Sequence, residues 1–230
     1  MLIGILQAGH LAQEVQAGHG DYVRLYSELL AGHGLRFQGW NVVDMEFPIS
    51  IDAADGWLIS GSRHGAYEDL PFIPRLETFI REAHAAEKPM IGICFGHQLI
   101  AKALGGRVEK FDGGWMVGRK DYMLDGMSYA LNAWHQDQVL KAPAGARVIG
   151  SAPGCKIAAL AYGDTILTMQ PHPEFPNSVL TELLDHRAKG IVPVDRQNAA
   201  RAMLDQPNDN ARIGQKLARF FVAHQQVDHG

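Results

Sequence analysis

Lys88-Pro-Met-Ile-Gly-Ile-Cys94-Phe-Gly-His-Gln98-Leu99 is the stretch that decides how this chain folds. Its first half, Pro89–Ile93, is a short apolar run that reads as a buried strand. Its second half, Phe95–Leu104, reads as a helix closed by Gly105-Gly106. One polar nucleophile separates the two. The frame Gly92-Ile-Cys94-Phe-Gly96 is the cysteine version of the Gly-x-Ser-x-Gly elbow. A nucleophile on so tight a turn needs small residues two positions to either side, because they pack against each other. The turn also sets Cys94 at a helix N-terminus, where unpaired backbone N–H groups favour a thiolate. The Phe95 N–H then points to where an oxyanion would form. Taken alone, the frame equally suits a small buried cysteine between strand and helix.

Outward from the elbow, apolar runs alternate with helical periodicity. Strands are expected at Leu2–Leu6, Leu35–Val43 and Gly56–Ser60. Helices are expected at Asp21–Ala31 and Phe72–Ala86, the second with Pro71 and Pro74 near its start, where proline is tolerated. Such alternation implies parallel pairing and an open α/β sheet, whose site lies beyond the carboxyl ends of the strands. From Arg107 to Leu131 the chain is Gly-rich, with short β-like runs and no long helix. Strands follow at Ala146–Ser151, Ile157–Tyr162 and Thr165–Met169, then helices at Pro176–His186, Arg196–Leu204 and Ala211–Ala223. The expected fold is an open, mostly parallel sheet flanked by helices, with an antiparallel extension at one edge. Residues 1–230 read as one domain, with 191–230 a helical C-terminal tail.

The composition narrows the function. Of 230 residues 47% are hydrophobic and 20% charged, a globular balance. Lys and Arg number 21 against 25 Asp and Glu, a net charge of −4 with no basic run, which speaks against nucleic acid as a partner. Two cysteines, Cys94 and Cys155, exclude a disulfide scaffold or a Cys-rich zinc module and fit a reducing compartment. The apolar N-terminus is too short for a signal core, and no stretch approaches the roughly 18 apolar residues of a membrane span. A cytoplasmic protein is expected. Ala-Gly-His occurs at 8–10, 17–19 and 31–33 without zinc spacing, so it reads as loop and cap chemistry, and no metal or cofactor is expected.

A second constellation answers the first. In Thr168-Met-Gln-Pro-His172-Pro-Glu174-Phe-Pro the two prolines hold His172 in extended geometry. Residues two apart in an extended chain share a face, so Glu174 is placed to accept from the imidazole and set its tautomer. Nucleophile, base and orienter are then all present. His97 competes as a base, but its side chain is expected to pack against the preceding turn. His135 and Asp137 look like half a triad without an elbow, and Cys155 leads into a strand and reads as structural.

Gly-Ile-Cys94-Phe-Gly-His-Gln98 together with Gln-Pro-His172-Pro-Glu174 resembles the class I (triad) glutamine amidotransferases, most closely the stand-alone members related to the glutaminase domain of GMP synthetase. The resemblance covers most of residues 1–190. It implies that Cys94 attacks a glutamine side-chain amide to form a γ-glutamyl thioester, with His172 as base and then acid and Glu174 orienting it. It implies an oxyanion hole from the Ser62 and Phe95 N–H groups. It also implies substrate contacts from Gln98 and from His135, Gln136 and Asp137, whose backbone would hold the α-amino and α-carboxylate groups. Such enzymes pass ammonia to a synthetase. This chain has no ATP-binding glycine loop, so the acceptor would be a separate subunit, or the chain would be a hydrolase acting on glutamine or another γ-glutamyl compound. A non-catalytic binding module of the same fold is the remaining alternative. Arg63 and Ser62 depart from the Pro and Gly common at those positions, and Arg63–Tyr67 would reshape the pocket mouth.

Overall fold

A computed structural model describes residues 1–225. Positions 226–230 of the expected C-terminal tail lie outside the described residues. In chain order the elements begin β1 (Leu2–Leu6), α1 (Gln13–His19), α2 (Tyr22–Leu29), β2 (Arg36–Trp40), β3 (Gly56–Ile59), α3 (Phe72–Ala85), β4 (Met90–Ile93) and α4 (Phe95–Ala103). They continue β5 (Arg107–Lys110), β6 (Met116–Leu124), β7 (Met127–His135), β8 (Asp137–Lys141), β9 (Ala146–Ala152), β10 (Cys155–Tyr162) and β11 (Ile166–Met169). The chain closes with α5 (Asn177–His186), α6 (Val194–Arg201) and α7 (Asn210–Gln225).

The main sheet runs β2-β1-β3-β4-β11-β10-β9-β6-β7, and β5 pairs separately with β8. From β2 to β11 the pairs are parallel. From β11 outward they are antiparallel. The expected α/β sheet with an antiparallel extension is the observed one. Strands β3, β4 and β11 are buried at every position, as a parallel sheet covered on both faces requires. The carboxyl ends of β4 and β11 lie side by side, with Ile93 opposite Met169. Cys94 follows the first and His172 lies just beyond the second.

Several expectations need correction. The strand expected over Leu35–Val43 stops at Trp40, because Val42–Asp44 turns into a 3-10 helix that buries Val42 and ends at Met45 with φ 66°. Of the short runs expected between Arg107 and Leu131, β5 is one; the rest is a long hairpin of two nine-residue strands, β6 and β7. It turns at Asp125-Gly126, with φ of 47° and 75°, the double positive φ that a tight hairpin turn demands. Helix α1 is not among the expected elements: Val15 is its one buried residue, too little for a periodic signal, and it absorbs the second Ala-Gly-His. The described part of the expected tail is packed into the core. Ile213, Leu217 and Phe221 of α7 are fully buried, and a Cβ on Gly56 at the start of β3 would meet Phe221 at 3.1 Å. Burial of a side chain such as Phe221 contributes roughly 1.5–3 kcal/mol.

Candidate active site

Cys94 sits between β4 and α4 with φ 52° and ψ −102°, a conformation that non-glycine residues rarely adopt. The surroundings hold it there. Its N–H donates to the Met169 carbonyl at 2.8 Å, and its carbonyl accepts from the Gln98 N–H at 3.0 Å. The flanking glycines are sterically required: a Cβ on Gly92 would stand 2.7 Å from the Gly96 backbone, and one on Gly96 would collide with the Ile59 carbonyl. Phe95 opens the helix, so its N–H has no intrahelical partner.

Next to the elbow, the His172 N–H donates to the Asn132 carbonyl at 2.9 Å, docking the segment after β11 onto β7. The His172 Nδ1–H donates to Glu174 Oε1 at 2.7 Å, with both side chains almost wholly buried. His172 Nε2 is buried and unpartnered. Burial pulls the imidazolium down, but the Glu174 carboxylate and the nearby Cys94 sulfur outweigh it and bring His172 up to about 10. The site therefore favours a proton on this ring at neutral pH.

Residues that carry no local signal in the sequence complete the assembly. The Tyr26 hydroxyl on α2 donates to Glu174 Oε1 at 2.8 Å. Phe175 lies flat on the His172 ring, with centroids 4.2 Å apart and an interplanar angle of 2°, and Tyr22 stacks on Phe175 at 6.0 Å. Tyr22 and Tyr26 show only an ordinary apolar helix spacing, and nothing local marks the hydroxyl partner. Arg187, at the end of α5, reaches the same region, again without a sequence signal.

A cavity of about 270 Å³ opens over the elbow. Its lining includes Cys94, Ser62, Gln98, His135, Gln136 and Asp137. The structure thus brings together the elbow, the loop after β3 and the 135–137 segment. Gln98 behaves as a brace: its amide donates to the Asp137 carbonyl at 2.9 Å and to Gln170 Oε1 at 3.1 Å. Burial, with a smaller contribution from His172, pushes His135 down to about 3, so it is neutral. The Gln136 carbonyl accepts from the Phe111 N–H at 3.3 Å. Asp137 is held by the Tyr67 hydroxyl at 3.1 Å, and burial raises its carboxyl above the ordinary range. The Ser62 hydroxyl accepts from the His64 N–H at 3.1 Å. Glu68 pins the rest of this loop through the Gly65 N–H at 2.8 Å and the His64 ring at 3.1 Å.

His97 does not pack against the preceding turn. Three residues past Cys94 it faces the sheet, accepting at Nδ1 from Thr168 Oγ1 at 2.7 Å and donating from Nε2 to the Ile157 carbonyl at 3.2 Å. Burial lowers it to about 4. Cys155 is fully buried, and desolvation raises its thiol to about 12. Among the described residues no group of three or more His, Cys, Asp or Glu side chains is arranged to hold a metal ion.

The parallel sheet with a cysteine elbow at one strand end and a buried His–Glu pair beyond its neighbour has counterparts among known proteins. The family model of class-I glutamine amidotransferases matches residues 24–188, and the chain belongs to that family. It is similar to gamma-glutamyl peptidase 2 of Arabidopsis thaliana, 30% identical over 81% of this chain and 82% of that protein. It is also similar to the glutamine-hydrolysing GMP synthase subunit of Sulfurisphaera tokodaii, 32% identical over 68% of this chain and 84% of that one. Among solved structures, a glutamine amido transferase from Methylobacillus flagellatus shares the fold, with TM-score 0.76 over 97% of this chain and 92% of the other at 24% identity. No helix among the described residues is long and apolar enough to cross a membrane.

Proposed function

We propose that the chain cleaves the amide of a γ-glutamyl compound through a thioester on Cys94. The observation that carries this is the buried His172–Glu174 pair, at 2.7 Å, which leaves Nε2 without a partner on a ring whose pKa the nearby Cys94 sulfur raises. In the reactive state the Cys94 proton already rests on His172, and the sulfur attacks the γ-carbonyl. The N–H groups of Phe95 and Ser62 receive the oxyanion. Glu174 stabilises the imidazolium, in keeping with the raised His172. As the C–N bond breaks, the amine leaves with the proton from His172. Water, deprotonated by His172, then breaks the C–S bond; glutamate is released and the thiol is restored. The backbone of His135, Gln136 and Asp137 holds the α-amino and α-carboxylate groups, and Gln98 braces that segment.

Glutamine is the simplest donor, and ammonia its product. A separate synthetase subunit would then take the ammonia, as the name of the GMP synthase relative implies for that protein. A second reading, a γ-glutamyl peptidase that needs no acceptor, is favoured by a further cavity of about 510 Å³ that adjoins the one over Cys94. Either reading suits a reducing compartment, and we place the protein in the cytoplasm. Both predict that Cys94→Ala abolishes release of glutamate from every γ-glutamyl substrate while Cys155→Ala leaves it intact. Full activity of the Cys94 variant would refute the mechanism.

A further inference from the structure

A second cavity, of about 510 Å³, adjoins the one above Cys94. The two share Ser62, Arg63, Trp134 and Arg187, so they form one cleft with a waist at those residues. The side of the scissile bond that each half serves follows from His172. The γ-glutamyl half occupies the cavity that holds Cys94 and the 135–137 segment. The leaving amine must lie where His172 can protonate it. The face of the His172 ring is covered by Phe175, and Phe175 and Tyr22 line the larger cavity. At Gly61, next to the waist residue Ser62, a Cβ would meet His172 Cε1 at 2.9 Å and the Tyr22 hydroxyl at 3.1 Å. The leaving group is therefore directed into the larger cavity. Ammonia, about the size of a water with its roughly 30 Å³ share of liquid volume, would leave this space almost empty.

The waist also has a charge. Arg63 and Arg187 pair with no carboxylate among the described residues, unlike Arg24, Arg201 and Arg212. The only polar contact of the Arg63 side chain among the described residues is a 3.5 Å approach to the His64 ring. The acidic group lining the larger cavity is Glu14, and His10 there is tied between Asp21 and Asp44. In a leaving group that is an amino acid, the carboxylate is two bonds from the scissile nitrogen. It would thus stay at the waist while its side chain enters a space lined by Leu11, Leu183 and Phe175. We infer that Arg63 and Arg187 form a carboxylate receptor that selects γ-glutamyl amino acids and short γ-glutamyl peptides over glutamine. This rests on the γ-glutamyl reading above.

The test compares kcat/KM for γ-glutamyl-phenylalanine, its C-terminal amide and glutamine, in the native chain and in Arg63→Gln, Arg187→Gln and the double variant. The native enzyme should prefer the free acid over its amide by about tenfold or more, the scale of a charge-assisted hydrogen bond. In the double variant that ratio should collapse towards one. A thermal melt of the double variant that matches the native chain excludes a general loss of structure, which would lower acid and amide together. A native ratio near one, an unchanged ratio in the double variant, or strict preference for glutamine would overturn the receptor. Cys94-dependent cleavage of all three substrates with no preference would sink the receptor alone. Cleavage of none of them would sink the γ-glutamyl reading with it.

Discussion

The hydroxyl of Tyr26 donates to the same oxygen of Glu174, Oε1, that accepts the Nδ1–H of His172, at 2.8 Å and 2.7 Å respectively. Glu174 is therefore held from two sides, by the strand-end segment that carries His172 and by α2, 148 residues away in the chain. The same helix sends Tyr22 against Phe175, which backs the imidazole. Helix α2 is thus the support of the base, as β4 and α4 are the support of the nucleophile.

Tyr26→Phe keeps the ring and deletes the donor. A hydrogen bond to a charged group is worth roughly 1.5–3 kcal/mol, so kcat should fall by about tenfold to a hundredfold. KM should move little, because Tyr26 does not line the substrate cavity. Steady-state kinetics with a thermal melt as control would check this. A large rise in KM with kcat unchanged would contradict the positioning role.

Glu174→Gln removes the charge that holds the imidazolium. Burial is then opposed only by the Cys94 sulfur, and His172 should drop from about 10. By analogy with loss of the acid from a Ser-His-Asp triad, kcat should fall by about 10⁴. An NMR titration of the His172 ring reads the shift directly, and an unmoved resonance would dismiss Glu174 as the orienter.

Cys94→Gly and Cys94→Ala should both lose activity, yet differ in stability. Alanine keeps the cost of φ 52°, whereas glycine adopts it freely. Such strain is on the order of 1–3 kcal/mol, so the glycine variant should be the more stable of the two by about 1 kcal/mol in urea, against its usual entropic disadvantage. A more stable alanine variant would show that the elbow relaxes when the thiol is removed.

Stability should peak near pH 6.5 and fall on both sides. His97 and His135 are lowered in the fold to about 4 and about 3, so the unfolded chain takes up protons first as pH falls below 6.5, and stability is lost down to about pH 3. His172 is raised to about 10, so its contribution is complete below 6.5 and lost as pH rises towards about 10. Urea midpoints across this range would test it. In Glu174→Gln the alkaline loss should be reduced while the acid loss persists. A midpoint that rises steadily from acid to alkaline pH would be incompatible with the raised His172.

Much of the fold and site is legible in local pattern. β4, Cys94 and α4 announce themselves because an apolar run, a nucleophile between glycines and a helical run are contiguous. The Pro-His-Pro-Glu segment is equally local, since prolines restrict their neighbours whatever the tertiary context. The β6–β7 hairpin is harder to read although Asp125-Gly126 is a turn signal, because the glycines around it obscure the period of its strands. Gln98, expected as a substrate contact, spends its amide on Asp137 and Gln170, a choice set by residues 39 and 72 positions away.

The α/β class, the elbow and the His–Glu pair are properties of the amino-acid order alone, because each depends on steric rules acting over a few adjacent residues. Three other relationships exist only once the chain is folded: Tyr26 meets Glu174, α7 fills the core beside β3, and Arg63 and Arg187 stand together at the waist of a two-part cleft. Those pairings join segments far apart in the chain. They are chosen by how helices pack across the sheet to bury apolar faces, and no local pattern encodes that.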